Sequence, residues 1–287
     1  MPKLTQVSGQ DLLILEECTW PPIPRTPSWV PDWTHEEHHR LFGGGPTYNA
    51  ANSTLRRLHI DSVEGLLRCE GIALGTIDGM GATYHENDKS NVSTDSLRQP
   101  RNNRSPYDTS HKVRTAIWQV LVGNRTPTGS VAPETYECLL QCDIAMSTGD
   151  NDDGVSWRGR RTLSRLLRAN RELHIGDNTL GSFFCPVTHT EPDPIALRDA
   201  LERMFRFWRP RRLLITQEGR LGAGPAATLP GDEVFALCGS TVPVVLRPFV
   251  SGAYKVVGCC YMQDFMEGEA LRGVQEGALM LRDVAIC

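Results

Sequence analysis

A histidine cluster near the start of the chain has the spacing of a zinc site. His35, Glu36 and His39 fit the pattern H-E-x-x-H, in which a helix presents two histidines to zinc and the glutamate acts as general base. Trp33 and the glycines at 43–45 flank the cluster closely, which leaves room for only a short helix without an apolar stripe. We therefore predict no metal, no cofactor and no catalytic residue. A zinc-dependent hydrolase that uses these three residues stays open as an alternative.

Three glycines, at positions 219, 222 and 224, have some likeness to a phosphate-binding loop. Such a loop needs a helix to begin directly after it, because the amide groups at the helix N-terminus bind the anion. Here Pro225 and two alanines follow, and then a turn. We therefore interpret the glycines as tight turns between strands.

The cysteines offer a second possible metal site and an indication of redox compartment. Cys138 with Cys142, and Cys185 with His189, would supply four zinc ligands, but neither pair has the C-x₂-C spacing of a zinc knuckle. The chain has nine cysteines, an odd number that does not suit a closed disulfide framework. Several lie within apolar runs, which predicts buried, reduced thiols in a reducing compartment.

A run of arginines makes one predicted helix locally basic. The arginines oppose Leu163, Leu166 and Leu167, which predicts an amphipathic helix with a solvated basic face. The acidic loop at 150–153 is a candidate intramolecular partner. An acidic or phosphate-rich partner is the alternative, and a nucleic-acid-binding barrel with this helix is a third function hypothesis. The arginines are Arg158, Arg160, Arg161, Arg165, Arg168 and Arg171.

The elements that would position these residues are clearest in the last third of the chain. Five short apolar runs are separated there by turn residues at intervals of about ten, which is typical of a small antiparallel barrel or sandwich. Leu229 to Asp232 has Pro before Gly, the order of a type II turn. The third run is apolar on both faces, so we place it centrally in the sheet. The runs are 212–216, 221–224, 233–238, 242–247 and 253–261.

A second group of strands is predicted near the start of the chain. Residues 55–60 and 66–77 flank a turn at 61–65, which indicates a hairpin. We expect this hairpin to join the strands of 212–261 in one barrel or packed sheet.

The residues before this hairpin are predicted to be a short helix, a tether and an extended segment. Residues 9–18 favour a short helix, whereas four prolines between 21 and 27 exclude one. PSWVPDW follows, and its second proline, Pro31, restricts it to an edge strand or an extended crossing segment. Trp29 and Trp33 are expected to cover the barrel core.

A helical insertion is predicted between the two groups of strands, over about 110–208. Residues 84–110, which precede it, contain almost no aliphatic side chains and are predicted to be a mobile loop. Asp193 and Pro194 favour the start of the last helix. The predicted helices are 110–122, 133–146, 160–173 and 193–208.

Several of these segments, in this order, resemble fungal heterokaryon-incompatibility (HET) proteins. The resemblance rests on PSWVPDW, YNA, TAIWQVLVGNR, RRLLIT, GDEVFAL, PVVLR and YKVVG. In that family the region follows a HET domain, and the protein is implicated in self/non-self recognition and cell death. The resemblance implies that residues 1–27 are the remnant of an upstream domain, that the HET domain itself is lacking, and that 28–287 form a single domain. The fold class is then α+β, a small, mostly antiparallel β barrel or sandwich with strands from 28–77 and 211–265.

The composition of the chain excludes some classes of function. The chain has 287 residues, of which 40% are hydrophobic and 22% charged, as in an ordinary soluble protein. Its net charge of −4 favours neither nucleic acid nor an acidic membrane as a partner. No apolar run approaches the roughly 18 residues of a membrane span, and the N-terminus is not a secretory signal. We expect a cytoplasmic, non-catalytic recognition or regulatory region with a protein partner.

Overall fold

The chain divides into two compact units. The computed structural model describes residues 15, 18, 20–32, 48–51, 59–61, 63–83, 97–141, 155–185, 193–208 and 211–287. Residues 1–76 with 227–287 form one unit, which we call the strand unit. Residues 77–226 form the other, which we call the helical unit.

The secondary structure confirms a mixed α+β fold. The strands are β1 (His59–Asp61), β2 (Leu66–Met80), β3 (His174–Ile175), β4 (Asn178–Thr179), β5 (Arg211–Thr216), β6 (Leu221–Pro225), β7 (Glu233–Leu237), β8 (Val244–Pro248), β9 (Tyr254–Cys259), β10 (Tyr261–Met262) and β11 (Leu281–Ile286). The α-helices are α1 (Ser110–Val122), α2 (Val155–Asn170), α3 (Pro194–Phe207) and α4 (Glu269–Gln275). Short 3-10 helices cover Glu134–Gln141, Leu180–Phe183 and Val250–Gly252.

In the strand unit, the pairings start at β2 and lead back to it. β2 is antiparallel to β1 and to β11 on its first half, and to β7 from Gly71 to Thr76. β7 pairs with β8, and β8 pairs with β9, both antiparallel. β9 and β11 are parallel and pair only at Tyr254 and Ile286. The predicted contact between the early hairpin and the later strands is therefore confirmed in this unit.

Most strand predictions in this unit hold because the sequence carries strong local signals. The turn at Leu229–Asp232 closes with a 3.1 Å hydrogen bond from the Asp232 amide to the Leu229 carbonyl, and Gly231 has φ +90°. β7 has a strand on each side, as its two apolar faces predicted. The hairpin of β1 and β2 is also confirmed, although residues 52–58 lie outside the described residues.

Two predictions about the strands need correction. The predicted strand set ended at 265 and missed β11, which pairs along its whole length with β2. The described part of PSWVPDW, residues 27–32, is not a strand. These residues form turns instead. Ser28 bonds to Cys287 and to Val256 of β9, and Trp29 bonds to the turn between β1 and β2.

Gly71 lies where three strands meet. Both β7 and β11 pair with β2 at this residue. A Cβ atom added to Gly71 would lie 2.7 Å from Cδ2 of Leu237 and 3.3 Å from Cγ2 of Val284. The absence of a side chain therefore lets these two buried side chains fill the interior beside β2.

The helical unit has its helices where the apolar periodicity predicts them, with some changes in bounds. α1 matches its predicted range, with the Thr109 hydroxyl accepting a 3.2 Å bond from the Lys112 amide and Gly123 in the left-handed conformation. Asp193 caps α3 by accepting a 2.9 Å bond from the Ile195 amide. α2 begins and ends before its predicted range, and the predicted helix of 133–146 is a 3-10 helix as far as residue 141.

α2 and α3 pack closely because a glycine lies at their crossing. A Cβ atom on Gly159 of α2 would lie 2.5 Å from the carbonyl oxygen of Leu201 in α3. Close approach of the backbones buries Leu163, Leu166 and Leu167 on one side of α2. The same unit contains the last residues of β2, paired with β5, and the antiparallel hairpin of β5 and β6.

The segment predicted as a mobile loop is described only from residue 97, and this part is anchored. Arg98 and Met80 exchange two backbone hydrogen bonds of 2.9 Å. The Gln99 side chain accepts from the His174 amide and donates to the Glu172 carbonyl. Hydrogen bonds hold this part of the segment in place. The prediction of a mobile loop considered only its lack of aliphatic side chains and so did not include these bonds.

Candidate functional site

The region that combines the most sequence motifs is where the first residues of the strand unit pack on its strands. This segment, which we call the docking segment, consists of Leu15, Cys18, residues 20–32 and residues 48–51. Leu15, Trp29 and Ala50 in it are buried. One of its contacts lies at the gap between β9 and β11, where the two strands share a single residue pair.

Ser28 bridges this gap. Its backbone amide donates a 2.9 Å hydrogen bond to the carbonyl of Cys287, just after β11. Its hydroxyl donates to the same carbonyl and accepts a 2.9 Å bond from the Val256 amide in β9. Ser28 therefore satisfies polar groups of both strands at a point where they do not pair with each other.

Trp29 closes the end of the unit next to Ser28. Its indole Nε1 donates a 3.0 Å bond to the carbonyl of Gly65, in the turn between β1 and β2. The ring is buried, with 6% of its surface exposed. The expectation that Trp29 covers the core is confirmed, whereas Trp33 lies outside the described residues.

Trp20 contacts a buried ion pair. Arg247, at the end of β8, makes two hydrogen bonds to the Asp232 carboxylate, Nε to Oδ1 at 2.8 Å and Nη2 to Oδ2 at 2.9 Å. Asp232 is 2% exposed and also accepts a 2.8 Å bond from the Leu229 amide. The guanidinium carbon of Arg247 lies 4.5 Å from the centre of the Trp20 ring. The proline-rich stretch, predicted as a tether, is thus held at its first aromatic residue.

The YNA motif adds a fourth point of attachment. Tyr48 is buried and packs edge to face on Tyr261, with ring centroids 6.1 Å apart. The amides of Asn49 and Ala50 donate 2.9 Å bonds to the carbonyls of Met266 and Thr241. Backbone hydrogen bonds of this kind do not depend on side-chain identity. The sequence of the motif therefore did not predict them.

Sequence reasoning missed three of the residues at this surface. Ser28, Asp232 and Arg247 belong to segments that were recognised, namely PSWVPDW, the turn and the fourth strand run. The bonds of Ser28 to Cys287 and Val256, and of Arg247 to Asp232, were not predicted. The available signal was an arginine at a strand end near an aspartate that follows a Pro-Gly turn. A charged residue next to a buried strand is a candidate for a paired, buried ion.

The predicted metal-site candidates fall mostly outside the described residues. His35, Glu36, His39, Cys142 and His189 are all in undescribed stretches. Within the described ranges, no three His, Cys, Asp or Glu side chains lie close enough together to hold a metal ion.

The glycines at 219, 222 and 224 form a strand hairpin and no phosphate loop. Gly219, at φ +82°, is in the turn between β5 and β6, and a Cβ atom there would collide with the Arg104 carbonyl. Gly222 and Gly224 lie inside β6, so a strand follows the turn where a phosphate loop needs a helix.

The cysteines are reduced, as predicted, wherever the structure describes them. All eight are free thiols, and six are buried. Burial raises the pKa of Cys69 from its ordinary value of 9.0 to about 12, with the neighbouring Cys238 as a further cause. This thiol therefore stays protonated at neutral pH and is a poor nucleophile.

The predicted amphipathic character of α2 is confirmed. Leu163, Leu166 and Leu167 are at most 3% exposed, whereas Arg158, Arg161 and Arg168 are exposed. The acidic loop at 150–153, the candidate partner of these arginines, lies outside the described residues. No helix in the described part of the chain is long and apolar enough to cross a membrane.

Comparisons with known proteins match the later strands. Residues 198–278, from within α3 to just beyond α4, match the family described as the Het-6 beta-barrel domain. Heterokaryon incompatibility protein 6, OR allele, of Neurospora crassa is 34% identical over 68 residues, which are 23% of this chain and only 10% of that protein's length. No solved structure matches the chain significantly. These matches confirm the resemblance to heterokaryon-incompatibility proteins and assign it, in residues 198–278, to the Het-6 beta-barrel domain.

Proposed function

We propose that this chain is a non-catalytic recognition and regulatory region of a heterokaryon-incompatibility protein, acting in the cytoplasm in self/non-self recognition and the control of cell death. In this proposal the strand unit is a small barrel that binds a partner protein. The docking segment transmits the state of the barrel to the polypeptide upstream of it.

The observation that carries the proposal is the Ser28 bridge. One side chain joins β9, the end of β11 and the docking segment, so a change at the β9–β11 gap would alter how the docking segment is held. Trp20 on Arg247 and Trp29 on Gly65 hold the same segment at two further points. A segment fixed by a few specific polar contacts, with little strand pairing of its own, is suited to release by small energies.

A genetic assay tests this proposal. Forced fungal heterokaryons would be made between a strain that expresses the chain and a strain that does not, with growth rate and the fraction of dead cells as readouts. We expect the wild-type chain to change both readouts. The double variant Ser28→Ala with Arg247→Ala should remove the effect, because it loosens the docking segment.

The matched control is Thr26→Ala. Thr26 is exposed, and its hydroxyl bonds only locally, to the Ile23 carbonyl at 2.7 Å. Equal effects of the control and the double variant, or no effect of the wild-type chain, would contradict the proposed role. Stoichiometric zinc in the untagged protein, lost in Glu36→Gln or His35→Ala, would instead favour the hydrolase.

A further inference from the structure

The exposed side of α2 is unusually rich in arginine and includes an aromatic residue. We call this surface the arginine face and define it by Trp157, Arg158, Arg161 and Arg168 of α2, and Arg171 just after it, all of which are exposed. Trp157 is 41% exposed, which is high for the largest apolar side chain. α2 has five arginines and no acidic residue.

The cations of this face are not neutralised by described carboxylates. Arg161 lies over the Trp157 ring at 5.5 Å, and Arg158 lies over the Phe205 ring at 5.8 Å. None of the four exposed arginines is in an ion pair with a described residue. By contrast, Arg206 of α3 pairs with Glu202, and Arg114 of α1 pairs with Glu137. Within the described part of the chain, these four guanidinium groups therefore have no carboxylate partner.

The position of the arginines is unfavourable for the helix itself. Arg158 and Arg161 lie in the first two turns of α2, where the helix dipole is positive, and the first turn has no acidic residue. These arginines contact aromatic rings but no described carboxylate, and cations placed against the helix dipole in this way are typical of a functional surface.

We propose that the arginine face binds an acidic segment of a partner protein, with an apolar side chain of that segment resting on Trp157. A guanidinium group binds a carboxylate with two parallel hydrogen bonds, and Trp and Arg dominate the binding energy of protein interfaces. Arg158 and Arg168 are ten residues apart, or about 15 Å along the helix, which suits a short peptide segment. The inference rests on the proposed function in taking a protein as the partner.

Nucleic acid fits these observations less well. Its affinity comes from many phosphate contacts along an extended basic path, whereas here the basic surface is one convex helix side. The whole chain has a net charge of −4 and a pI of about 6.1, which opposes a long polyanion at a distance.

Fluorescence anisotropy with the full chain tests the proposal. The probes are a labelled glutamate-rich peptide with a single leucine, and a labelled oligothymidylate of equal charge. The test variant is Arg158→Gln with Arg161→Gln and Arg168→Gln. The charge-matched control is Arg25→Gln with Arg206→Gln and Arg282→Gln, which are exposed arginines elsewhere.

We expect the peptide to bind the wild type and the control, and to bind the test variant at least about tenfold more weakly. Trp157→Ala should weaken peptide binding without changing its salt dependence. The melting temperature of the test variant should equal or exceed that of the control, because removing cations near the helix N-terminus relieves repulsion.

Three outcomes would overturn the proposal. These are no peptide binding at low salt, tighter binding of oligothymidylate than of the peptide, and a melting temperature of the test variant well below that of the control. The last would show that the arginines stabilise the helix. None of these outcomes bears on the heterokaryon assay, so this proposal fails separately from the proposed function.

Discussion

Both units contain arginines that bond to buried groups, but the partners of these arginines differ. In the strand unit, Arg247 is neutralised by the Asp232 carboxylate. In the helical unit, Arg203 donates to the Val122 carbonyl, and Arg212 donates to the carbonyls of Gly81 and Ala226. Burial, with the nearby Arg98 as a second cause, lowers the pKa of Arg212 from 12.5 to about 10. Carbonyl groups accept hydrogen bonds from the Arg212 guanidinium, but they do not offset the effect of its burial on the pKa.

The two kinds of partner predict different effects of mutation. Where a carboxylate neutralises the arginine, removing Arg247 leaves a buried carboxylate and removing Asp232 leaves a largely covered guanidinium without its counter-ion. Where carbonyl groups hold it, removing the arginine leaves only acceptors, one of which ends α1 and can find water at modest cost.

The largest effect is expected for Asp232→Ala. It leaves the Arg247 guanidinium without its carboxylate and should lower the free energy of unfolding by about 3–5 kcal/mol. Urea denaturation measures the loss. The control is Glu202→Ala, which breaks the exposed pair with Arg206 and should cost only about 0.5 kcal/mol. Equal losses for the two variants would show that the Asp232 pair is no more than a surface contact.

The two crowded glycines give the next comparison. Gly159→Ala places a Cβ atom 2.5 Å from a backbone oxygen of α3, which cannot move alone, so a loss of about 3 kcal/mol is expected. Gly71→Ala meets the end of the Leu237 side chain at 2.7 Å, which can rotate, so about 1 kcal/mol is expected. Thermal unfolding of both variants measures which one loses more stability. A larger loss for Gly71→Ala than for Gly159→Ala would contradict the close packing of α2 on α3.

Ser28→Ala should have a smaller effect than Gly159→Ala. It removes the acceptor of the buried Val256 amide and one donor to the Cys287 carbonyl, at a cost of about 2 kcal/mol. Thr26→Ala, whose hydroxyl is exposed, should cost less than about 0.5 kcal/mol. Chemical denaturation of both variants measures the loss in free energy of unfolding. A loss no greater than that of Thr26→Ala would contradict the role of the Ser28 hydrogen bonds in stability.

The smallest effect at neutral pH concerns Cys69. Its raised pKa keeps the thiol protonated in the folded state, so iodoacetamide at mildly alkaline pH should label the exposed Cys185 and leave Cys69 unmodified. Between pH 9.0 and about 12 the unfolded thiol ionises while the folded one does not, so this group lowers stability as pH rises across that window. Peptide mass mapping detects the labels, and fast labelling of Cys69 would contradict its burial.

The strands of the strand unit could be predicted where each run carried its own signal. β7 and β8 are flanked by Pro-Gly or Gly-Ser turns, and each contains at least three consecutive apolar residues. β11 escaped because its first three residues, 281–283, are exposed and only Val284 and Ile286 are buried. Its strand character comes from pairing with β2 and not from local hydrophobicity.

The candidate site was less predictable than the fold for a similar reason. The bond between Ser28 and Val256 joins residues 228 positions apart. No periodicity reports such a contact, because it depends on the β9–β11 gap, which itself depends on the unrecognised β11. The resemblance to the HET family identified PSWVPDW as a motif, but it did not predict the hydrogen bonds that Ser28 makes to Cys287 and Val256.

Hydrogen exchange at the Val256 amide tests the central claim, that the docking segment is fixed to the C-terminal strands through Ser28. Amide exchange followed by NMR would compare the wild type with Ser28→Ala. The account predicts that this amide is protected in the wild type and exchanges at least about tenfold faster in the variant, while amides of β7 and β8 keep their protection. An unprotected Val256 amide in the wild type, or equal protection in both proteins, would contradict it.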